Sequence, residues 1–501
     1  MEQQRVGIIG GGISGLSAGI YAALNGMEVH IFERSSKAGG VCQSWDRNGY
    51  SVNGSIHWLM GSGPGSDYYE IWKELGVIEG SSFHVHDRFF TYQADDGKEY
   101  SLYTNVDRLQ ENLLSISPDD SGPIIELCES IRTLARHEIP APHGSTWKQF
   151  GHMAKMALLD FPIIREMIRW APVSLGEYAA RFKHPRLREL FSNLWNPEMT
   201  MIFLAMQMTY AHMGSASYPL GGSGPFIEKM LRRFLDLGGH FHTNSKVLGI
   251  TRHEDRCTGI LLENKQVFPA DYVVSAMDGM TALQQIVVDE KITAPVLEQF
   301  KSLKPFPGIL YFSAGFNYSF PEVNPAISGT LIKLKQPVDI GYTRHTMGSF
   351  QIYNFDPTLS APGHTLVTGI FETDYGYWEE LYRKGGEEYR NERNRIVNEL
   401  VKNLSEHFPD LKGKLEFADA ATPMTYVNET GNYHGSYEGW LPTPAAIQVR
   451  IPYQLNGLER FYLCGHWVHP GGGMPPAAFS GRNVVELICS DAGLDFISKA
   501  S

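Results

Sequence analysis

The chain has 501 residues, with 43 Lys plus Arg against 55 Asp plus Glu, for a formal net charge of −12. Without a basic excess to neutralise phosphates, nucleic acid is excluded as a partner. The length admits two or three domains, and 20% charged with 12% aromatic residues describes a folded chain without a long disordered tract. Cys42, Cys128, Cys257, Cys464 and Cys489 are far apart and form no C-x-x-C pair, so neither a disulfide framework nor a metal site is expected. The start, MEQQR, lacks the basic and apolar regions of a leader peptide. No uninterrupted run of about 18 apolar residues occurs. These features point to a cytoplasmic protein.

The first element is an apolar run, Val6 to Ile9, that suits a buried parallel strand. Gly10, Gly12 and Gly15 follow in G-x-G-x-x-G spacing and open a helix. Gly10 allows a tight turn out of the strand, Gly12 lets backbone approach a pyrophosphate, and Gly15 lets the helix pack on the sheet. Ile13 and Ser14 sit in the same turn and join the candidate cofactor contacts. The helix N-terminus offers free N–H groups to the pyrophosphate. A second run, Val29 to Phe32, ends at Glu33, whose carboxylate can accept from ribose hydroxyls. At this point NAD and FAD both remain open.

Arg34 and the pair Gly39-Gly40 before Val41 extend the motif, and Gly49 to Gly61 brings a second approach with Gly54, Ile56, His57 and Trp58. A longer cofactor than NAD would use it. E-R-x-x-x-x-G-G followed by G-Y-x-x-x-G resembles the glutathione-reductase-type FAD fold in its amine-oxidase and phytoene-desaturase branch. Two positions depart from that branch. Val41 stands where it usually has Arg, and Asn53 where it usually has Asp. Neither removes a backbone contact, so the resemblance implies bound FAD.

Beyond residue 66, Arg88 to Tyr92 and Tyr100 to Tyr103 flank a DDGK turn and read as a hairpin. Residues 121 to 214 read as mostly helical. In Lys155 to Pro172, Pro162 separates two short helices, read either as an interfacial membrane segment or as packed core. Met199, Met201, Met206, Met208 and Met213 read as core or as the lining of an adaptable apolar pocket. A helix from Pro225 to Leu237 leads into strands at His240 to Asn244, Val247 to His253, Gly259 to Glu263 and Val267 to Ser275. By the resemblance, the Val247 backbone meets the adenine. Strands follow at Gly308 to Phe320, Ser349 to Asp356 and His364 to Glu372, then a helix at Glu387 to His407. The chain closes with a strand at Phe461 to Cys464, then Gly465, His466, His469, Gly471 to Gly473 and Met474, and a helix from Pro475 to Ile488. A helix N-terminus there would stabilise negative charge on a reduced isoalloxazine.

YPLGGSG, DPTLSAPGH and GHWVHPGGGMPPAAFSG together resemble the carotenoid group of phytoene desaturase, carotenoid cis–trans isomerase and retinol saturase. The resemblance implies an α/β chain with a glutathione-reductase-type, Rossmann-like FAD domain and an inserted α+β substrate domain. The FAD domain would take residues 1–65, 215–285 and 416–501, and the substrate domain 66–214 and 286–415. It implies an FAD-dependent oxidoreductase acting on a long apolar polyene or isoprenoid. Desaturation, isomerisation and double-bond saturation all remain open. A quinone or oxygen would accept electrons, and peripheral membrane contact would deliver the substrate. His57 is the candidate catalytic residue, because histidine titrates near neutral pH and the resemblance places it by the flavin. Two rivals share the fold: an amine oxidase and a prenyl-binding escort protein without flavin.

Overall fold

The computed structural model describes residues 3–137 and 161–499. Its larger sheet has nine strands, seven of them in the order His240–His242, Glu28–Phe32, Arg5–Ile9, Tyr272–Ser275, Leu458–Leu463, Arg256–Leu262, Val247–His253. The first five run parallel. Val6, Ile8, Ile31, Val273 and Val274 are buried, as a sheet covered on both faces requires. The helix Ile13–Leu24 packs on this sheet, and the last helix, Met474–Asp491, packs on it in turn. That pairing is close. A Cβ on Gly481 would lie 2.5 Å from the Ser14 carbonyl oxygen, and Ser17 Oγ donates to Ala478 O at 2.6 Å. The AAFSG stretch thus joins the two ends of the chain.

A second sheet orders Leu415–Ala421, Gly308–Phe316, Thr365–Thr373, Thr343–Ile352, Thr330–Ile340, Arg88–Gln93 and Glu99–Tyr103. The 88–103 hairpin forms its end, as expected. Two strands escaped the sequence reading. In Thr330–Ile340 the register slips between Lys333 and Val338, so Pro337 sits in a bulge where a missing N–H does no harm. Leu415–Ala421 is an edge strand rich in Ala and acids, paired only with Gly308–Phe316. The expected division at 415/416 falls inside that strand.

The helix Phe161–Trp170 carries Pro162 in its first turn, where a missing N–H costs nothing. The expected partner helix to its N-terminal side, from Lys155, lies outside the described residues. Among the described residues, no helix is long and apolar enough to cross a membrane, and no cluster of three His, Cys, Asp or Glu could hold a metal.

Candidate functional site

A cavity of about 1240 Å³ takes its walls from both sheets. Every candidate cofactor residue lines it except Gly15. Gly15 is set back, where a Cβ would lie 2.0 Å from the Gly10 carbonyl oxygen, so it allows the strand-to-helix turn itself. Gly10, Gly12, Ile13 and Ser14 form the wall beside it, with Gly12 opposite Gly39 and Gly40.

Glu33 is buried at the end of Glu28–Phe32. Its carboxylate accepts from Gly11 N at 2.7 Å and Ser35 N at 2.8 Å. These two bonds fix its orientation and leave lone pairs for ligand hydroxyls. Arg34 lines the same cavity and is tied to another of its walls. Its Nη2 donates to Asn428 O at 2.7 Å, a carbonyl in the last turn of Pro423–Thr430, where a cation is favoured.

Gly40, Val41, Ile56 and His57 continue the wall. Val41 packs beside a cluster that includes Tyr50, Tyr218 and Tyr311. Asn53 lies behind, fully buried and off the cavity. Its Oδ1 accepts from Ser223 N and Oγ, at 3.1 and 2.7 Å, which caps the helix Ser223–Asp236. Its Nδ2 donates to Ile56 O at 2.5 Å and Tyr353 Oη at 3.1 Å. An amide supplies both donors and acceptor here, and a carboxylate could not.

Val247, Gly465, His466, Gly473 and Met474 complete the candidate set on the wall. Gly473 caps the helix Met474–Asp491. The next two positions are Pro475 and Pro476, which have no N–H. The helix end therefore presents the N–H groups of Gly473 and Met474 and its dipole, a sparser anion site than the glycine run implied.

Burial shifts several titratable groups of the wall towards neutrality. His57, His466 and His469 are each pushed down to about 4, because protein crowds every side of the ring not facing the void. His469 pairs with Tyr453 Oη at 2.6 Å, while His57 has, among the described residues, a ring contact with Trp58. Burial pushes Glu438 up to about 7. It also raises Glu372, opposed by Asn196, whose Nδ2 donates to both carboxylate oxygens at 2.9 and 3.2 Å.

The remaining wall mixes polar and apolar side chains. On Thr343–Ile352 the alternate residues Thr343, His345, Met347, Ser349 and Gln351 face the cavity, a path of about 27 Å at strand rise. Trp195, Ile202, Phe203 and Leu331 face it from other elements. The methionine run divides: Met199 and Met206 line the cavity, Met201 and Met208 lie in core, and Met213 is exposed.

The family profile described as flavin containing amine oxidoreductase matches residues 13–489. The chain belongs to that family. This flavin-containing amine oxidoreductase is 22% identical to a 4,4'-diapolycopene oxygenase of Methylomonas sp, over 98% of this chain and 99% of that one. It is 23% identical to a phytoene desaturase (lycopene-forming) of a Paracoccus strain, over 97% of each. The crystal structure of an oxidoreductase from Methanosarcina mazei aligns with TM-score 0.60 at 18% identity, covering 96% of this chain and 100% of that one, a likeness of fold alone. The protein is an FAD-dependent oxidoreductase of Rossmann-like fold, and FAD is its cofactor. The residues present fit that group. The Gly10–Gly12 turn has no side chain in the cradle, and Glu33 is fixed beside it with acceptor capacity to spare.

Glu438, Glu372 and Asn196 are site residues that sequence reasoning missed. Each is an isolated polar residue with no motif spacing, and nothing in the sequence marks its neighbours across the fold.

Proposed function

We propose that this oxidoreductase acts on a long, uncharged polyene or isoprenoid of the carotenoid type, by desaturation, isomerisation or saturation of a double bond. The observation that carries this reading is the charge state of the cavity. It joins the glycine cradle to a long wall in which apolar surface predominates, and burial moves His57, His466, His469, Glu372 and Glu438 towards their neutral forms. Such a space suits a ligand without charge. The resemblance to carotenoid enzymes over nearly the whole chain supports it.

Bound FAD supplies two-electron chemistry by hydride exchange. The chain supplies position. Glu33 would accept from the ribose hydroxyls, while Gly10, Gly12, Ile13 and Ser14 would lie along the pyrophosphate. Val247 would meet the adenine. Gly465, His466, Gly473 and Met474 would lie along the ring on one side, with Gly40, Val41, Ile56 and His57 on another. His57, held neutral, would orient rather than carry charge. The long wall would hold a polyene in line, and alignment of this kind is a large part of such catalysis. A division into FAD and substrate domains near 65, 215, 285 and 415 belongs to the same proposal.

The helix Phe161–Trp170 supports peripheral membrane contact. Phe161 and Ile168 are 66% and 70% exposed, and Met167 lines the cavity. Arg165 and Arg169 flank them. An apolar substrate leaving a bilayer would meet that face first.

The test presents the purified holoenzyme with cis- and all-trans-polyenes, with and without a quinone or oxygen. Turnover that requires an acceptor identifies a desaturase, and turnover of reduced enzyme without net redox identifies an isomerase. Flavin reduction by amines with no response to any polyene would refute the reading.

A further inference from the structure

The strap around Glu438 is pinned on both sides. On one side, Phe306 N donates to Gly439 O and Leu441 N to Lys304 O, each at 2.8 Å. On the other, Gly471 N donates to Trp440 O and Trp440 Nε1 to Trp467 O, each at 2.9 Å. Gly472 is glycine because of this strap. A Cβ there would lie 2.0 Å from Glu438 O and 2.8 Å from Glu438 Cβ. The Glu438 carbonyl and Cβ are therefore held against the glycine loop that opens the last helix, and the residue lines the cavity. Among the described residues it has no hydrogen-bond or ion-pair partner, and burial is the one influence on its proton. Glu438 is half-buried and lines the cavity, where an unpaired carboxyl is free to meet a ligand. The fold thus spends a rigid strap and an obligatory glycine on a group that contacts only what enters the cavity.

We propose that Glu438 is the group that exchanges a proton with the bound substrate. This rests on the polyene reading above. In the oxidative direction, Glu438 as carboxylate takes the proton from the carbon next to the one that loses hydride to the flavin. Two C–H bonds break, one C=C π bond forms, the electron pair resides on the flavin, and the proton resides on Glu438. A quinone or oxygen then removes the electrons, and water the proton. In the reductive direction, Glu438 as carboxyl returns the proton. The groups that face the same space are Tyr437 on the strap, Tyr426 on Pro423–Thr430, Glu372 on Thr365–Thr373 and His466 across Gly439. Of these, His466 is neutral above pH 5 or so and the tyrosines are raised; Glu372 is bonded to Asn196, and Asp278, which also lines the cavity and is pushed up to about 6, accepts from Thr281 N, so Glu438 is the carboxyl without a hydrogen-bond partner among the described residues that is poised to change charge near neutrality.

The experiment compares native holoenzyme with E438Q and E438D. The first readout is infrared: a protonated-carboxyl C=O band that titrates near neutral pH and is missing in E438Q. The second is turnover of the polyene panel against pH. E438Q is expected to bind FAD and polyene normally, to lose about 100-fold or more in kcat, and to lose the near-neutral inflection, with partial recovery in E438D. Turnover of E438Q within about threefold of native with an unchanged pH profile would overturn the proposal, since general acid–base catalysis contributes about 10²–10⁴-fold. A missing titrating band in the native enzyme would overturn it as well. Native enzyme that turns over no polyene would instead defeat the functional reading, and the infrared titration would still decide whether Glu438 holds a proton.

Discussion

Asn53→Asp restores the residue usual in the resembling branch, and the structure expects it to harm this chain. The native amide donates to Ile56 O and Tyr353 Oη and accepts twice from Ser223. In the variant an oxygen replaces Nδ2. The Tyr353 hydroxyl can turn and donate to it, but the Ile56 carbonyl cannot. Two oxygens then face each other at a site with no solvent. Losing that bond and burying a charge costs about 1–3 kcal/mol, and the N-terminus of Ser223–Asp236 returns about 0.3–1 kcal/mol, for a net loss of roughly 1.4 kcal/mol at pH 8. The sign with pH follows. A protonated aspartic acid can donate to Ile56 O again, so the folded state raises the carboxyl above its unfolded value of about 3.9. Between those two values the folded state binds more protons, and the variant loses stability as pH rises. Urea denaturation of native and N53D apoprotein at pH 5.5 and 8 tests this. The deficit is expected to be larger at pH 8. Equal stabilities at pH 8, or a deficit that grows on acidification, would refute the reasoning.

Three further outcomes are expected. Glu33→Ala strips the partners from Gly11 N and Ser35 N, so apoprotein stability should fall by about 2–4 kcal/mol along with FAD retention, without altering the product profile. Melting of apoprotein and flavin content of holoenzyme measure both, and an unchanged apoprotein would show that these bonds do not matter. His57, His466 and His469, held near 4, should give flat ring NMR shifts from pH 6 to 9 and should destabilise the fold only as pH falls through the ordinary histidine range towards 4. A midpoint near 6.5 for any of them would contradict its burial. Phe161→Asp with Ile168→Asp should weaken co-sedimentation with anionic vesicles while leaving melting within about 0.5 kcal/mol, as expected of exposed positions.

The glycine cradle was legible because close backbone approach needs glycine at fixed spacing whatever the ligand. Gly10, Gly12 and Glu33 meet at the cavity as that spacing requires. The parallel strands were legible because burial on both faces selects β-branched runs such as Val29 to Phe32. Glu438 was hidden because its burial comes from two segments far away in the chain, 304–306 and 466–472, that clamp the strap. Asn53 read only as a departure from the usual Asp, and it caps Ser223–Asp236, a role set by Gly222 and Ser223. Gly472 read as a flavin approach and is needed first for the Glu438 carbonyl. In each case the residue type was informative, and its partner was tertiary.

The charge state of the cavity also separates the polyene reading from its amine rival by a measurement that needs no turnover. An ammonium ligand in this low-dielectric space needs an anion beside it. Of the carboxyls on its wall, Glu33, Asp278 and Glu372 already accept hydrogen bonds and Glu429 is exposed, which leaves Glu438, and with its carboxyl raised to about 7 it holds a proton at pH 6. Binding of an ammonium would favour the carboxylate and expel that proton. At pH 6 an amine should therefore bind with release of close to one proton, falling towards none well above pH 7. A polyene has no charge to offer, so its binding should move no proton at either pH. Calorimetry in two buffers of different ionisation enthalpy reads the number directly. Proton-neutral amine binding at pH 6 would mean that Glu438 does not face the ligand. Proton-coupled amine binding tighter than that of any polyene would favour the amine-oxidase reading over the one proposed here.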